Sequence, residues 1–343
     1  MTFNLFCPPP ETISLSFLKE TFKNTLMKHL KKSIAVFAGI ALLFSACKKD
    51  DPGTIPPPEP IPSSVELQTY FDQNIFGELQ AFTIDAASNE SITSSNGTQL
   101  SFYSNSFKHS NGTLVTGDVT IELLEVFDKS GMIRMNAPTL GNLPGGGNAP
   151  LISGGEFRIK AFQNGEELEL IDGYGYSVNS VVPNGGLADP NMQVFYGRDS
   201  DTLTWDVADS SWVEGNGPNY YTYFDALSWC NIDQFMNDGG PMTTVNVQLP
   251  SGFTNLNSAL FISIDGANSV VPVWGFENGV YTIGPYYQLP VGMPVHFIAM
   301  AVIGGVPHTA IVSATIVDGH LEVIPNLDAT TDADFVSELS NLP

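Results

Sequence analysis

Apolar and polar residues alternate along short segments from about residue 65 onward. Residues 99–103 and 119–126 show this alternation clearly, and Asn96-Gly97 and Asn111-Gly112 mark turns beside them. A period of two residues indicates β-strands with one buried face. The spacing of about 8–12 residues between turns favours a β-sandwich over alternating strands and helices.

The same pattern predicts two runs of strands. The first run continues at 156–162, 167–171, 174–182 and 192–196. The second run comprises 220–224, 245–249, 259–264, 271–275, 279–283, 295–302, 309–312 and 321–324. Pro272 lacks a backbone donor, so its strand is expected at a sheet edge. The capping box Thr331-Asp-Ala-Asp334, with Phe335 and Leu339 four residues apart, predicts a short C-terminal helix.

The composition changes to Asp, Ser, Gly and Asn around residues 199–219. We therefore expect a domain boundary between 199 and 215, with one sandwich at 65–205 and a second at 206–343. The predicted fold is all-β, with two antiparallel β-sandwich domains and a short terminal helix.

The segment that begins at Met27 has the composition of a secretory signal peptide. A basic stretch precedes eleven apolar or small residues at 34–44, and Ser45-Ala46-Cys47 follows. Eleven residues are too few for a transmembrane helix, which needs about 20, but they suit a signal-peptide core. We expect 27–46 to be a signal peptide and 1–26 to be a mis-assigned start or a leader extension.

Cys47 and its neighbours resemble the lipobox of bacterial lipoproteins, with Phe44 in place of the usual Leu. The resemblance implies diacylglycerol on the Cys47 sulfur and a palmitate-type anchor in membrane lipid. A cleaved signal peptide with an incidental cysteine is the alternative.

The residues after Cys47 resemble the tether of an exported lipoprotein. Lys48-Lys-Asp-Asp51 is similar to the surface-export signal of Bacteroidota lipoproteins, which implies an outer-membrane protein exposed at the cell surface. A solvated charge cluster is the alternative. Six prolines in 52–64 predict that 47–64 is a lipidated, extended tether of the polyproline type.

The charge balance excludes one class of partner. The chain has 13 Lys and Arg against 36 Asp and Glu, and its net charge becomes −26 without residues 1–46. Such a negative field repels phosphate backbones, so nucleic acid is not an expected partner. Cys230 is then the one cysteine besides Cys47, so no disulfide within the chain is expected.

Two further resemblances concern the folded part. The segments Asn96-Gly-Thr-Gln-Leu-Ser-Phe and Gly117-Asp-Val-Thr-Ile resemble a module of Bacteroidota surface lipoproteins and the ZU-type β-sandwich. Trp229-Cys-Asn-Ile-Asp-Gln-Phe235 is similar to the segment that follows such modules, with Ser228 in place of Gly. The likeness spans about 90–240 and implies fold and location. Residues 243–325 resemble carboxypeptidase-regulatory sandwiches.

Motifs of catalysis are absent from the sequence. It contains no His-Glu-x-x-His, Gly-x-Ser-x-Gly, phosphate-loop or EF-hand pattern. Cys230 is expected to pack in a core rather than act as a nucleophile, and His296 is expected opposite a core face. A solvated linker is favoured over Ca²⁺ binding for four acidic residues, Asp199, Asp201, Asp206 and Asp209.

Two surface features remain. Asp201-Thr202-Leu203 matches the O-glycosylation site of exported Bacteroidota proteins, which makes Thr202 a possible modification site. Aromatic residues cluster at 220–224 and 274–287, and Tyr286 and Tyr287 follow a Gly-Pro turn that would expose them. Exposed aromatic rings on a sheet bind sugars, whereas aromatic residues on strands usually pack in cores.

The sequence therefore predicts a non-catalytic, lipid-anchored cell-envelope protein that acts in adhesion or assembly through a protein or glycan partner. It implies no cofactor and no metal. The first alternative is a glycan-binding surface lipoprotein of a polysaccharide-uptake system. The second is an enzyme whose site the sequence does not reveal.

Overall fold

The computed structural model describes residues 61–198, 203–236 and 239–343. The fold is all-β, and four sheets lie in two sandwiches, as the alternation predicts. We number these sheets 1 to 4 in the order in which they stack.

Sheet 1 is the outer sheet of the N-terminal sandwich. Its strands run in the order β13-β14-β10-β3-β2. Their bounds are β2 Glu90–Thr93, β3 Gln99–Phe102, β10 Tyr176–Val181, β13 Trp212–Asn216 and β14 Asn219–Phe224.

Sheet 2 is the inner sheet of the same sandwich, with the order β1-β5-β7-β15-β11-β12-β6 and β8 paired to β7. Its strands are β1 Gln80–Asp85, β5 Asp118–Val126, β6 Leu140–Asn142, β7 Asn148–Gln163, β8 Glu166–Glu167, β11 Gln193–Gly197, β12 Trp205–Val207 and β15 Trp229–Phe235. A short ribbon beside it joins β4 Phe107–Lys108 to β9 Glu169–Leu170.

Sheets 3 and 4 form the C-terminal sandwich. Sheet 3 has the order β19-β18-β23-β24-β26, and sheet 4 has the order β20-β21-β17-β25. The strands of sheet 3 are β18 Ala259–Ile264, β19 Val270–Pro272, β23 Pro294–Ile303, β24 Val306–Thr315 and β26 Asp328–Ala329. Those of sheet 4 are β17 Val245–Gln248, β20 Gly275–Glu277, β21 Val280–Thr282 and β25 His320–Val323.

Two details refine the predicted pairing. Pro272 lies in an edge strand, β19, as its missing donor predicts. The pairing is antiparallel except that β12 runs parallel to β6 and β17 runs parallel to β25. A further ribbon joins β16 Met242–Thr243 to β22 Leu289–Pro290.

Three apolar cores separate the four sheets. Leu123, Phe157 and Tyr176 belong to the core between sheets 1 and 2. The core between sheets 3 and 4 has Phe297 among its members. Between the sandwiches, residues of sheet 2 such as Trp229 pack with residues of sheet 3. Sheet 2 is therefore buried on both faces.

Helices also occupy the layer between the sandwiches. They are α1 Ser64–Glu78, α2 Lys129–Arg134 and α3 Asp332–Ser340, and a 3₁₀ turn lies at Pro183–Gly185. The predicted terminal helix is confirmed as α3, and its cap Thr331 accepts a hydrogen bond from the Asp334 amide at 3.1 Å.

Helix α1 corrects the expectation of an extended tether as far as residue 64. Ser63 caps it by accepting a bond from the Glu66 amide at 3.3 Å, and Leu67 and Phe71 bury one stripe. The Ser-x-x-Glu box and the i, i+4 spacing of these apolar residues signal this helix in the sequence. Tyr70 donates to Asp332 at 2.7 Å, which ties α1 to α3.

The change of sheet does not occur at 199–215. Strands β12 to β15, which cover residues 205–235, complete sheets 1 and 2. Their pairing partners all belong to sheets 1 and 2, so residues 205–235 are part of the first sandwich. The last strand of sheet 2 along the chain, β15, ends at Phe235, and the strands that follow from Met242 onward belong to the second sandwich and its ribbon.

We expect Phe261→Ala to destabilise both sandwiches together. Phe261 is 1 % exposed and lies in the core between them, and truncating a buried phenylalanine costs about 3–5 kcal/mol. Denaturant unfolding followed by far-ultraviolet circular dichroism and by tryptophan emission should show one shared transition at lower denaturant. Leu256→Ala, at a 76 % exposed position, is the control. A shift to lower denaturant in the unfolding of the C-terminal sandwich alone would contradict the shared core.

Candidate functional site

The outer face of sheet 1 carries exposed aromatic side chains. Along β14, Tyr220, Thr222 and Phe224 are buried, whereas Tyr221 and Tyr223 alternate with them and point outward. Both faces of this strand are rich in aromatic residues. Its sequence predicts a strand but does not show which side faces the core.

Strand register aligns one row of outward residues across the whole sheet. Trp212 pairs with Tyr223, Tyr223 with Ser177, Ser177 with Ser101, and Ser101 with Ser91. We call these five residues the first row. The Trp212 and Tyr223 rings are nearly parallel, at 8°, with centroids 6.5 Å apart. The Ser91 and Ser101 hydroxyls are hydrogen bonded at 2.8 Å.

A second row lies two residues further along the strands. It pairs Glu214, Tyr221, Asn179, Gln99 and Thr93 across the same five strands. Tyr221 is 48 % exposed, like Trp212 in the first row. The two rows together present aromatic rings at the β13–β14 side and hydroxyl and amide groups at the β3–β2 side.

A cleft of about 410 Å³ lies at one end of the strands of sheet 1, next to the first row. We call it the tyrosine cleft, and its lining residues are Asn89, Tyr103, Ser104, Gly173, Tyr174 and Tyr223. Aromatic rings beside hydroxyl and amide groups suit ligands that have both apolar C–H faces and hydroxyl groups. Carbohydrates have this chemistry.

The basic residues of the described chain are engaged elsewhere. Ion pairs join Lys108 to Asp172, Arg134 to Asp332, Lys160 to Glu167 and Arg198 to Asp206. The other two are Lys129, which donates to the Ile264 carbonyl, and Arg158, which lies over the Trp229 ring. None of the six lies in the two rows or lines the tyrosine cleft.

The two predicted modification sites, Cys47 and Thr202, lie outside the described residues. Asp199 and Asp201 lie outside them as well. Asp206 pairs with Arg198 and accepts from Asn142 at 2.8 Å, and Asp209 is exposed. Within the described ranges, no group of three or more His, Cys, Asp or Glu side chains is placed to hold a metal ion.

Cys230 lies in the core between sheets 1 and 2, as the packing interpretation predicts. Burial raises the pKa of its thiol to about 12, so the reactive thiolate is suppressed. His296 lies on the face of sheet 3 opposite the sandwich core, and its Nδ1 is 2.7 Å from the Asp265 carboxylate. Of the two tyrosines predicted to be exposed, Tyr286 is exposed and Tyr287 is buried.

Sequence reasoning missed parts of the candidate site. Trp212 stands in a segment whose composition resembles a linker, and Tyr103 and Tyr174 border strands without any motif. Only long-range pairing brings these residues together, and local patterning carries no signal for it.

Sequence reasoning also missed a buried acidic pair in sheet 2. Glu156 and Asp233 are fully buried, and neither carboxylate oxygen of Glu156 has a hydrogen-bond partner among the described residues. Asp233 accepts from Asn231 at 2.6 Å. Burial, with Asp233 nearby, raises the pKa of Glu156 well above its ordinary 4.5. Both side chains are closed to substrates, so they form a structural feature rather than an active site.

Among the described residues, no helix is both long and apolar enough to cross a bilayer.

Comparisons with known proteins add no assignment. No protein-family model and no curated protein sequence matches this chain.

Glu156→Gln should stabilise the protein at neutral and alkaline pH. The unfolded chain loses the Glu156 proton near its ordinary pKa of 4.5, whereas the folded protein holds it to higher pH. Wild-type stability therefore falls as pH rises above that value. We expect the variant to be clearly more stable than the wild type at pH 8, with little difference between the two at pH 4.

Denaturant unfolding at both pH values measures this difference. Glu277→Gln, at an exposed position, is the matched control and should leave the free energy of unfolding unchanged at both pH values. A Glu156→Gln variant that is less stable than wild type at pH 8 would show that the buried carboxylate is needed in its charged form.

Proposed function

We propose that this protein is a non-catalytic, lipid-anchored cell-envelope protein that binds carbohydrate on the outer face of sheet 1. The observation that carries the proposal is the outward-facing pair of Trp212, which is exposed, and Tyr223, which is partly exposed, in register with a row of serine hydroxyls. Rings of this kind pack against the C–H faces of sugars, and the hydroxyl groups beside them exchange hydrogen bonds with sugar hydroxyls.

The polarity of the face favours a glycan over a protein partner. Beyond its aromatic residues, the two rows consist of Ser, Thr, Asn, Gln and one Glu. The fully buried centre of a protein–protein interface is more apolar than this, and serine is depleted there. Adhesion or assembly through another protein therefore ranks below sugar binding.

The composition of the face also supports binding without hydrolysis. Glycoside hydrolysis requires a pair of carboxyl groups on either side of the scissile bond. Glu214 is the sole carboxylate among the residues of the two rows and the tyrosine cleft. We therefore expect the protein to bind a glycan and release it without hydrolysing it.

The lipid anchor rests on the sequence. Cys47 follows a signal-peptide core, and a proline-rich segment separates it from α1. Helix α1 packs between the sandwiches and leaves the outer face of sheet 1 uncovered. An anchor on that segment is thus compatible with a glycan on this face, and we propose that the face points away from the cell surface.

We expect Trp212→Ala to weaken glycan binding at least tenfold. The substitution removes half of the aromatic pair at a position that is 48 % exposed, so the fold should be unaffected. A microarray of neutral and acidic polysaccharides identifies a ligand, and titration calorimetry then measures the affinity. Tyr286→Ala, an exposed aromatic residue of the second sandwich, is the control and should bind as wild type.

Two results would contradict the proposal. Equal loss of affinity in both variants would place the binding elsewhere or make it nonspecific. Failure of the wild type to bind any glycan, together with capture of a defined envelope protein through this face, would favour assembly instead.

Cys47→Ser should release a folded protein from the membrane fraction. The substitution removes the sulfur to which diacylglycerol would be attached, and nothing else in the predicted tether is long and apolar enough to hold a bilayer. Cell fractionation and immunoblotting measure the distribution. Recovery of the variant in the membrane pellet, with wild-type abundance, would refute the anchor.

A further inference from the structure

The tyrosine cleft continues the first row. It lies where β3 and β14 end and where β2 and β10 begin, because Tyr103 follows β3 and Asn89 precedes β2. Tyr223 belongs to the row and also lines the cleft. A glycan chain that packs on the Trp212–Tyr223 pair can therefore extend into the cleft without leaving the protein surface.

The walls of the cleft are held by hydrogen bonds. The Ser104 amide donates to the Asn89 side chain at 2.8 Å, and the Asn105 amide donates to the Ala86 carbonyl at 2.7 Å. On the opposite wall, the Tyr174 amide donates to the Ile171 carbonyl at 2.9 Å. A preformed cleft binds with a smaller loss of conformational entropy than a mobile loop does.

The size and chemistry of the cleft indicate what it accepts. Its volume of about 410 Å³ lies near the lower end of the range for small-molecule sites, about 300–1,000 Å³. Phenol, amide and hydroxyl groups line it, and no charged side chain does. Burial is the main cause that raises the pKa of Tyr223, so its hydroxyl is neutral at physiological pH.

Charge elsewhere on the protein acts against an anionic ligand. The chain has an excess of acidic residues, and all six basic residues of the described ranges contact acids, carbonyl oxygens or an aromatic ring, and none of them lines the cleft. A uronate or sulfate group would meet no cation here, and it would lose its hydration without compensation.

We propose that the tyrosine cleft is a subsite for one uncharged sugar residue of the bound glycan, which gives the protein a preference for neutral polysaccharides. This inference rests on the carbohydrate binding proposed above and adds a second contact region and a ligand class to it.

Titration calorimetry with two variants of Tyr174 tests the subsite. Tyr174 is 40 % exposed, so substitution there should leave the fold intact, which thermal unfolding verifies. The probes are hexasaccharides of glucose, mannose, xylose and galactose, with a galacturonic acid hexasaccharide as the charged counterpart of the galactose one. Tyr286→Ala serves again as the control for a lost exposed ring.

For the neutral hexasaccharide that binds best, we expect Tyr174→Ala to weaken binding about tenfold. Tyr174→Phe keeps the aromatic ring and should weaken binding of this hexasaccharide about threefold or less. The galacturonic acid hexasaccharide should bind at least tenfold more weakly than the best neutral one, and added salt should leave neutral binding unchanged.

The outcomes separate this inference from the proposed function. Binding that Trp212→Ala abolishes but Tyr174→Ala leaves unchanged would overturn the subsite and keep the carbohydrate function. Equal affinity for the charged hexasaccharide would overturn the preference for uncharged sugars. Absence of binding by every probe would overturn the subsite and the carbohydrate function together.

Discussion

Burial of sheet 2 on both faces is the constraint on which the rest of the structure depends. Leu123 and Leu124 are adjacent in β5, and both are fully buried, one in the first sandwich and the other between the sandwiches. Strands with two buried faces lose the usual apolar–polar alternation. The two sandwiches consequently share a core, and the three helices fill its margins.

This arrangement determines which surfaces are left for function. Within the described part of the chain, the inner faces of all four sheets are covered, which leaves the outer faces of sheets 1 and 4, the edges and the loops for ligands. Sheet 1 is supported from below by a core rich in aromatic residues, including Phe102, Tyr176 and Phe224. Rings on its outer face are therefore fixed to a rigid layer, and the proposed binding surface is preformed. The same double burial explains why Glu156 is costly in its charged form.

The sequence predicts the strands well and their partners poorly. Alternation locates β18 at 259–264 with the bounds found in the structure, because local periodicity is a local property. Helix α1 is not predicted, because it directly follows a proline-rich segment, although Ser63 and Glu66 form a capping box at its start. The Tyr220–Phe224 segment has aromatic residues on both faces, so its outward side emerges only from packing. The first row depends on the register of five strands that are distant in sequence, and no single segment encodes it.

The most direct test of the account is a crystal structure of the protein grown with a neutral oligosaccharide. We expect sugar rings that cross the strands of sheet 1, with one ring against Trp212 and Tyr223 and its neighbour in the tyrosine cleft. Sugar density elsewhere on the molecule, with the outer face of sheet 1 empty and accessible in the lattice, would contradict it.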